Sequence, residues 1–259
     1  MSMRIELRLA SRSLKFTTQV DVLLPQCGRD GDADSFYSKD HELPMLLLLH
    51  GGSGGSSDWP RFTRVELLCD EFGVGIVCPS AESSSYLNNY YGSRYSDWVY
   101  EELYEQMHVM FPFSRDRDKN FCAGLSMGGY GAYRAAFRFP EKFGWCAGLS
   151  SGAYLPQQVV SGEHRTPGAL ATFGPFDQIL GGDADLFQAA IDLKESGKEP
   201  PKLFWTCGSE DFGIEGNRLF RDHLLSLGYD LTWFEAPGIH NWDFWEAHIR
   251  DVMEWLPLK

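Results

Sequence analysis

From Pro44 onward, short runs that are apolar throughout alternate with longer stretches in which apolar residues recur every three or four positions. This is the pattern of parallel strands buried on both faces and covered by the helices that connect them. It predicts strands at Met45 to Leu49, Gly75 to Cys78, Asn120 to Ala123, Trp145 to Leu149, Lys202 to Cys207 and Leu231 to Glu235. Between them, Val99, Leu103, Met107 and Met110 fall at helical spacing over Asp97 to Met110, before Pro112 stops the chain. A second helix is predicted from Asn217 to Leu227, ended by Gly228. Ahead of this region, residues 4 to 9 and 14 to 24 alternate apolar with polar and read as two antiparallel strands. The polar, Gly/Asp-rich stretch from Cys27 to Glu42 reads as a surface loop.

The stretch from Ser151 to Pro201 breaks the rhythm. Turn signals at Ser161-Gly162, Thr166-Pro167-Gly168 and Gly181-Gly182-Asp183 precede one short helix from Asp185 to Lys194. The expectation is a single α/β domain over 1–259, built on a mostly parallel central sheet flanked by helices. The segment 151–201 reads as a cap-like insertion over the carboxyl edge of that sheet.

Composition narrows the partners. With 43% hydrophobic residues among 259, the chain can bury one large core. Lys and Arg number 23 against 36 Asp and Glu, and the resulting formal charge of −13 repels phosphate backbones and anionic lipid surfaces. Neither nucleic acid nor a membrane is expected as a partner. Cys27, Cys69, Cys78, Cys122, Cys146 and Cys207 are scattered singly, without zinc-site spacing, and several lie in strand-like runs where a thiol behaves as a small hydrophobe. Met1 to Arg8 alternates charged and apolar residues and lacks the apolar stretch of a secretory signal. A cytoplasmic location is the expectation.

One constellation carries chemistry. Gly124-Leu125-Ser126-Met127-Gly128 matches G-x-S-x-G, a short pattern whose setting gives it meaning. A strand runs into it, and Tyr130, Tyr133, Ala136, Phe137 and Phe139 follow at helical spacing until Pro140. A strand-to-helix turn of this kind raises a serine hydroxyl at the head of a helix and makes Ser126 the candidate nucleophile. Serine needs a base and a carboxylate to orient that base, and the order Ser, acid, His is expected for the α/β-hydrolase fold. His240 follows a strand and precedes a Trp-rich helix, whereas His223 and His248 lie inside helical patterns and His164 precedes any candidate acid. The acid is Asp211 or Glu210, adjacent in the loop after Lys202 to Cys207; rigid orientation of an imidazole favours Asp211.

The loop His50-Gly51-Gly52-Ser53-Gly54-Gly55 after the first parallel strand can present bare N–H groups. Together with the N–H of Met127, that of Gly52 is the expected oxyanion donor, and His50 is expected to shape the loop. The same loop lacks the Gly-Lys-Ser/Thr of a phosphate-binding loop, and no acid follows the next strand to hold a ribose. His41-Glu42-Leu43-Pro44-Met45 begins like a zinc-binding helix motif but ends in Met and contains a helix-breaking Pro. No cofactor and no metal are therefore expected. The aromatic run Tyr86 to Tyr95 either walls a substrate pocket or packs its own loop.

Over nearly its whole length the chain resembles the tributyrin esterase group of the esterase D-like α/β-hydrolases. The likeness is carried by Leu48-Leu49-His50-Gly51-Gly52, Ala123-Gly124-Leu125-Ser126-Met127-Gly128-Gly129-Tyr130-Gly131, Cys207-Gly208-Ser209-Glu210-Asp211-Phe212 and Pro237-Gly238-Ile239-His240-Asn241-Trp242. The resemblance implies a serine carboxylesterase that hydrolyses short-chain acyl esters, acetyl to butyryl, without a cofactor, and it assigns Ser126, Asp211 and His240 to the triad. A homo-oligomer is compatible with it. Related members are S-formylglutathione hydrolases and acetyl-sugar or feruloyl esterases. An acyltransferase, or a binding protein that keeps the fold without the chemistry, is the alternative of another class.

Overall fold

A computed structural model describes residues 2–28, 31–36, 38 and 41–258. Eight strands form one sheet: β1 (Met3–Ala10), β2 (Thr17–Leu24), β3 (Met45–Leu49), β4 (Gly75–Pro79), β5 (Asn120–Leu125), β6 (Trp145–Leu149), β7 (Lys202–Gly208) and β8 (Leu231–Ala236). Their order is β1-β2-β4-β3-β5-β6-β7-β8. β2 runs antiparallel to β1 and β4, and every pairing from β4 to β8 is parallel.

The uninterrupted apolar runs are the strands covered on both sides. In β3, Met45, Leu47 and Leu49 enter one core, while Leu46 and Leu48 enter the other. The first core lies under the helices Met127–Arg138, Leu186–Glu195 and Ile214–Ser226 and the helical stretch that begins at Tyr95. The second lies under Val65–Phe72 and Trp242–Trp255, with Trp59 wedged beside them. At the sheet margin β1 has a polar outer face, and Ile5, Leu7 and Leu9 supply its contact with the core.

Strand expectations hold with small extensions, and two differences have physical causes. The second antiparallel strand starts at Thr17, because Ser11 to Phe16 forms a turn closed by Ser11 N–H to Phe16 O at 3.0 Å. The Glu102 carboxylate fastens this turn by accepting from the Ser11 hydroxyl and the N–H groups of Arg12 and Ser13. The helix expected over Asp97 to Met110 is three pieces end to end, Tyr95–Asp97, Trp98–Leu103 and Tyr104–Met110, the middle one with π-helical hydrogen bonding. That wider turn suits the spacing of four between Val99, Leu103 and Met107, all buried, and leaves Met110 exposed at its end. The predicted Cys27 to Glu42 loop contains one short helix, Ala33–Phe36; residues 29, 30, 37, 39 and 40 of it lie outside the described residues.

Within 151–201, Leu155–Ser161 and Pro167–Phe173 are short helices, whereas Leu186–Glu195 joins the layer packed on the sheet beside Met127–Arg138. Asp185 caps this last helix by accepting from the N–H groups of Phe187 and Gln188. Arg134, buried in the preceding layer, donates to the Asp183 carbonyl at 2.8 Å and carboxylate at 2.7 Å, tying the segment to the sheet. Among the described residues no helix is long and apolar enough to cross a membrane.

This is the α/β-hydrolase fold, and its connectivity brings the loops after β3, β5, β7 and β8 to one edge. The tightest packing occurs where β5 turns into Met127–Arg138. A Cβ on Gly128 would meet the Leu49 and His50 carbonyl groups, with His50 O at 2.7 Å, and one on Gly124 would lie 2.9 Å from Gly128 Cα. The obstacles are backbone and cannot swing aside. Gly128→Ala is therefore expected to destabilise the protein by about 3 kcal/mol. Thermal unfolding followed by circular dichroism should show a fall in Tm of roughly 6–10 °C, and an unchanged Tm would contradict the close approach.

Candidate active site

Ser126 sits between β5 and the helix Met127–Arg138 with φ +53° and ψ −117°, a backbone conformation that L-residues seldom adopt. Hydrogen bonds hold it there: Ser126 N–H donates to Leu149 O at 2.9 Å, and Ser126 O accepts from Gly152 N–H at 2.9 Å and Tyr130 N–H at 3.1 Å. The turn is thus fixed by the end of β6 and the loop that follows it. It points the hydroxyl out of the sheet, above the unsatisfied N–H groups of the first helical turn.

The loops after β7 and β8 are joined edge to edge. Ser209 N–H donates to Ala236 O at 2.8 Å and Glu210 N–H to Gly238 O at 3.0 Å, continuing the strand pairing beyond its end. Glu210 returns a bond, its carboxylate accepting from Gly238 N–H at 2.6 Å. That bond and the Ser209 hydroxyl hold the Glu210 carboxyl below its usual range. Glu210 is thereby occupied with the backbone of the His240 loop. Asp211, its neighbour, faces the imidazole, with Asp211 Oδ2 2.8 Å from His240 Nδ1.

Asp211 is buried, its other oxygen accepting from Gly213 N–H at 2.7 Å. Burial by itself would raise this carboxyl, but hydrogen bonds from His240 and Gly213 N–H outweigh it and hold the group below the ordinary carboxylate value. An ionised acceptor at Nδ1 fixes the tautomer: Nδ1 carries the proton and Nε2 is left to accept. His240 Nε2 lies 2.9 Å from Ser126 Oγ, so the serine hydroxyl donates to it. The structure therefore brings Ser126, His240 and Asp211 into one hydrogen-bonded line. Such a line can draw the proton from a hydroxyl as the oxygen attacks an electrophilic carbon.

Gly52 and Met127 border the same space. Gly52 is exposed on the loop after β3, and a Cβ there would meet nothing within 4 Å. Met127 begins the helix, and its Sδ accepts from Ser85 N–H. His50 is turned inward: its Nδ1 donates to Gly51 O at 2.6 Å, and its Nε2 accepts from Ala81 N–H at 2.9 Å. Burial pushes this imidazole below its ordinary value, so it remains a neutral brace for the loop.

Sequence reasoning did not reach the surroundings of the imidazole. The exposed ring of Phe212 lies against one side of His240 at 4.5 Å between centroids, and Trp245 stands perpendicular to it at 5.0 Å. Both follow motifs already singled out, so proximity to Asp211 and one helical turn after His240 was the available signal. Of the aromatic run, Tyr86 and Tyr95 are buried, Tyr86 donating to His50 O at 3.0 Å. Tyr90 and Tyr91 are exposed, no residue of the run lines the cavity beside Ser126, and Ser83 and Ser85 just before it reach that cavity.

That cavity, of about 560 Å³, opens over Ser126 and His240. Met127, Tyr130, Tyr154, Leu155, Phe212 and Leu219 provide its apolar wall. Gln158, Glu163 and His164, from the segment after β6, line it as well, as does Glu215. Among the described residues no lysine or arginine lines it. A smaller recess of about 200 Å³ lies apart, between Leu87 to Tyr90 and Thr172 to Ala184. Among the described residues no cluster of His, Cys, Asp and Glu could hold a metal ion.

Residues 11–256 match the family model for esterases described as "Putative esterase". An acetyl esterase of Caldicellulosiruptor saccharolyticus is 30% identical over 262 residues, spanning 97% of each chain. Among solved structures, the fluorophosphonate-binding serine hydrolase F of Staphylococcus aureus superposes with a TM-score of 0.90 at 29% identity, covering 100% of this chain and 99% of that one. The S-formylglutathione hydrolase of the same organism gives 0.88 at 29% identity, with both chains fully covered. Matched from end to end in sequence and in fold, the chain belongs to the esterase family and is a hydrolase of carboxylic esters.

Proposed function

We propose that Ser126, His240 and Asp211 form the catalytic triad of a serine carboxylesterase for short-chain acyl esters, acetyl to butyryl, of the tributyrin-esterase kind. The observation that carries this reading is the hydrogen-bonded line from Asp211 Oδ2 through the imidazole to Ser126 Oγ, opening on a cavity. Ser126 Oγ attacks the ester carbonyl as His240 Nε2 takes its proton, and Asp211 stabilises the imidazolium. The N–H groups of Met127 and Gly52 receive the oxyanion. The imidazolium then protonates the leaving alcohol, and water, deprotonated at Nε2, releases the acid from the acyl-enzyme.

The cavity wall bears on the choice among ester classes. An S-acylglutathione carries two carboxylates, which a binding site would ordinarily meet with lysine or arginine. Among the described residues the carboxylates Glu163 and Glu215 line this cavity and no lysine or arginine does, so a neutral ester is the better match. The thioester remains the second reading because the S-formylglutathione hydrolase shares the whole fold at 29% identity. Feruloyl and acetyl-sugar esters are further members of the neutral class.

A series of p-nitrophenyl esters from acetyl to octanoyl, with S-formylglutathione in parallel, tests the substrate. We expect kcat/KM to peak between acetyl and butyryl and to exceed that for the glutathione thioester. Ser126→Ala should lower kcat by at least ~10⁴-fold; residual turnover near the wild-type level would remove Ser126 from the mechanism.

The acid limb of kcat/KM is expected to require a single proton, because Asp211 is held below the ordinary aspartate value of ~3.9 and stays charged throughout that limb. A limb requiring two protons, measured in buffers of constant ionic strength, would contradict this division. At the oxyanion position, Gly52→Ala keeps the N–H and meets open space, so activity should stay within a few-fold. Gly52→Pro removes the donor and should reduce kcat by roughly 10²–10³; equal activity of the two variants would move the donor elsewhere.

A further inference from the structure

His240 Nε2 hands its proton to the alcohol oxygen as the ester bond breaks, and that oxygen is attached to the same carbon that Ser126 Oγ attacks. The departing alcohol therefore lies beside the imidazole. What the cavity presents at that place is apolar. The ring of Phe212, 4.5 Å from that of His240 between centroids, lines the cavity and is 85% exposed. A large apolar ring left in water at the lip of a reaction cavity is surface that a ligand can cover.

The backbone keeps the ring there. Two hydrogen bonds span Phe212: Asp211 Oδ1 accepts from Gly213 N–H at 2.7 Å, and Asp211 O accepts from Ile214 N–H at 3.0 Å. The carboxylate that orients the imidazole thus also closes the turn that carries the ring. Farther along the same wall, the helix Ile214–Ser226 brings Gly216 and the half-exposed Leu219 to the cavity. A Cβ on Gly216 would lie 2.8 Å from that of Tyr154, so the bare position lets Tyr154, another lining residue, pack flush against the helix. Glu215 on this wall is engaged by Arg218, whose Nη1 donates to its carboxylate at 2.7 Å.

We propose that Phe212, with Leu219 behind it, is the specificity surface for the alcohol half of the substrate, and that the preferred esters are those of aromatic alcohols. The inference rests on the triad reading above and adds the leaving group to the acyl preference stated there. In acylation the bond from Ser126 Oγ to the carbonyl carbon forms and the bond from that carbon to the alcohol oxygen breaks. The proton passes from Oγ through Nε2 to the alcohol oxygen, so the alcohol departs neutral. An aromatic group on that oxygen sets its ring against Phe212 and covers it from water, whereas a methyl group leaves most of it wet.

Benzyl acetate and methyl acetate, followed by pH-stat titration of the released acid, isolate the alcohol, because both pass through the same acetyl-enzyme and kcat/KM reports the step that forms it. The wild type is expected to favour the benzyl ester. Phe212→Ala should lower the benzyl-to-methyl ratio of kcat/KM by about five- to tenfold, the size of one aromatic contact, and Phe212→Tyr should keep it within about twofold. The ratio of ethyl butyrate to ethyl acetate, which varies only the acyl group, should stay within about twofold in both variants. A ring that merely packs on the imidazole would instead lower all four esters by one common factor. That result, an unchanged benzyl-to-methyl ratio in Phe212→Ala, or a wild type without the benzyl preference would overturn the assignment. Ser126→Ala distinguishes the failures. Turnover persisting in that variant would sink the triad reading together with this inference, whereas an inactive Ser126→Ala beside an unchanged ratio in Phe212→Ala would sink this inference alone.

Discussion

The left-handed turn at Ser126 is the constraint around which the molecule is arranged. A strand cannot pass into a helix within one residue unless the two elements almost touch, and here the first helical turn rests on the carbonyls at the end of β3. That contact dictates glycine at 124 and 128 and positions the helix whose first N–H groups lie beneath the hydroxyl. It also requires neighbours on both sides to restrain a conformation the residue would not keep alone. β3 supplies one side, and the end of β6 with its following loop supplies the other.

Much of this organisation was written in the order of residues. Buried parallel strands are apolar without interruption, which made β3, β5, β6 and β7 readable to within a residue or two. Ser126, Asp211 and His240 were legible because each lies in the turn or loop that follows a parallel strand, and parallel topology forces those positions to a common edge. Adjacent acids are a different matter: Glu210 and Asp211 share a loop and a chemistry. Which of them faces the imidazole depends on the bond from Gly238 N–H to Glu210, a contact between loops that local pattern does not record. The π-helical stretch at Trp98–Leu103 escaped for a related reason, since a spacing of four suits both helix types until packing selects one. Phe212 ends a motif chosen for its acid and Trp245 lies three residues past the motif of His240, and only the fold shows them flanking the His240 ring.

Polar groups buried near the centre share a division of labour. His50, kept neutral by burial, braces the glycine loop through both ring nitrogens. Asp211, kept ionised despite burial, is surrounded by donors. Burial decides the state of the first and donated hydrogen bonds that of the second, so two titratable side chains near the sheet edge serve opposite electrostatic ends.

The pairing of the β7 and β8 loops has a mechanical implication. Asp211 and His240 ride on loops laced to each other by backbone bonds, so thermal motion carries acid and imidazole together and leaves their separation nearly constant. Ser126 rides on a different support, the junction of β5 and β6. The centre therefore joins two separately supported halves, and its chemistry crosses the seam at the 2.9 Å contact between Nε2 and Oγ. Asn217 crosses that seam from behind, its amide donating both to Ser151 O and to Gly213 O. The distance along which the proton must travel is thus set by how the two supports sit on one continuous sheet.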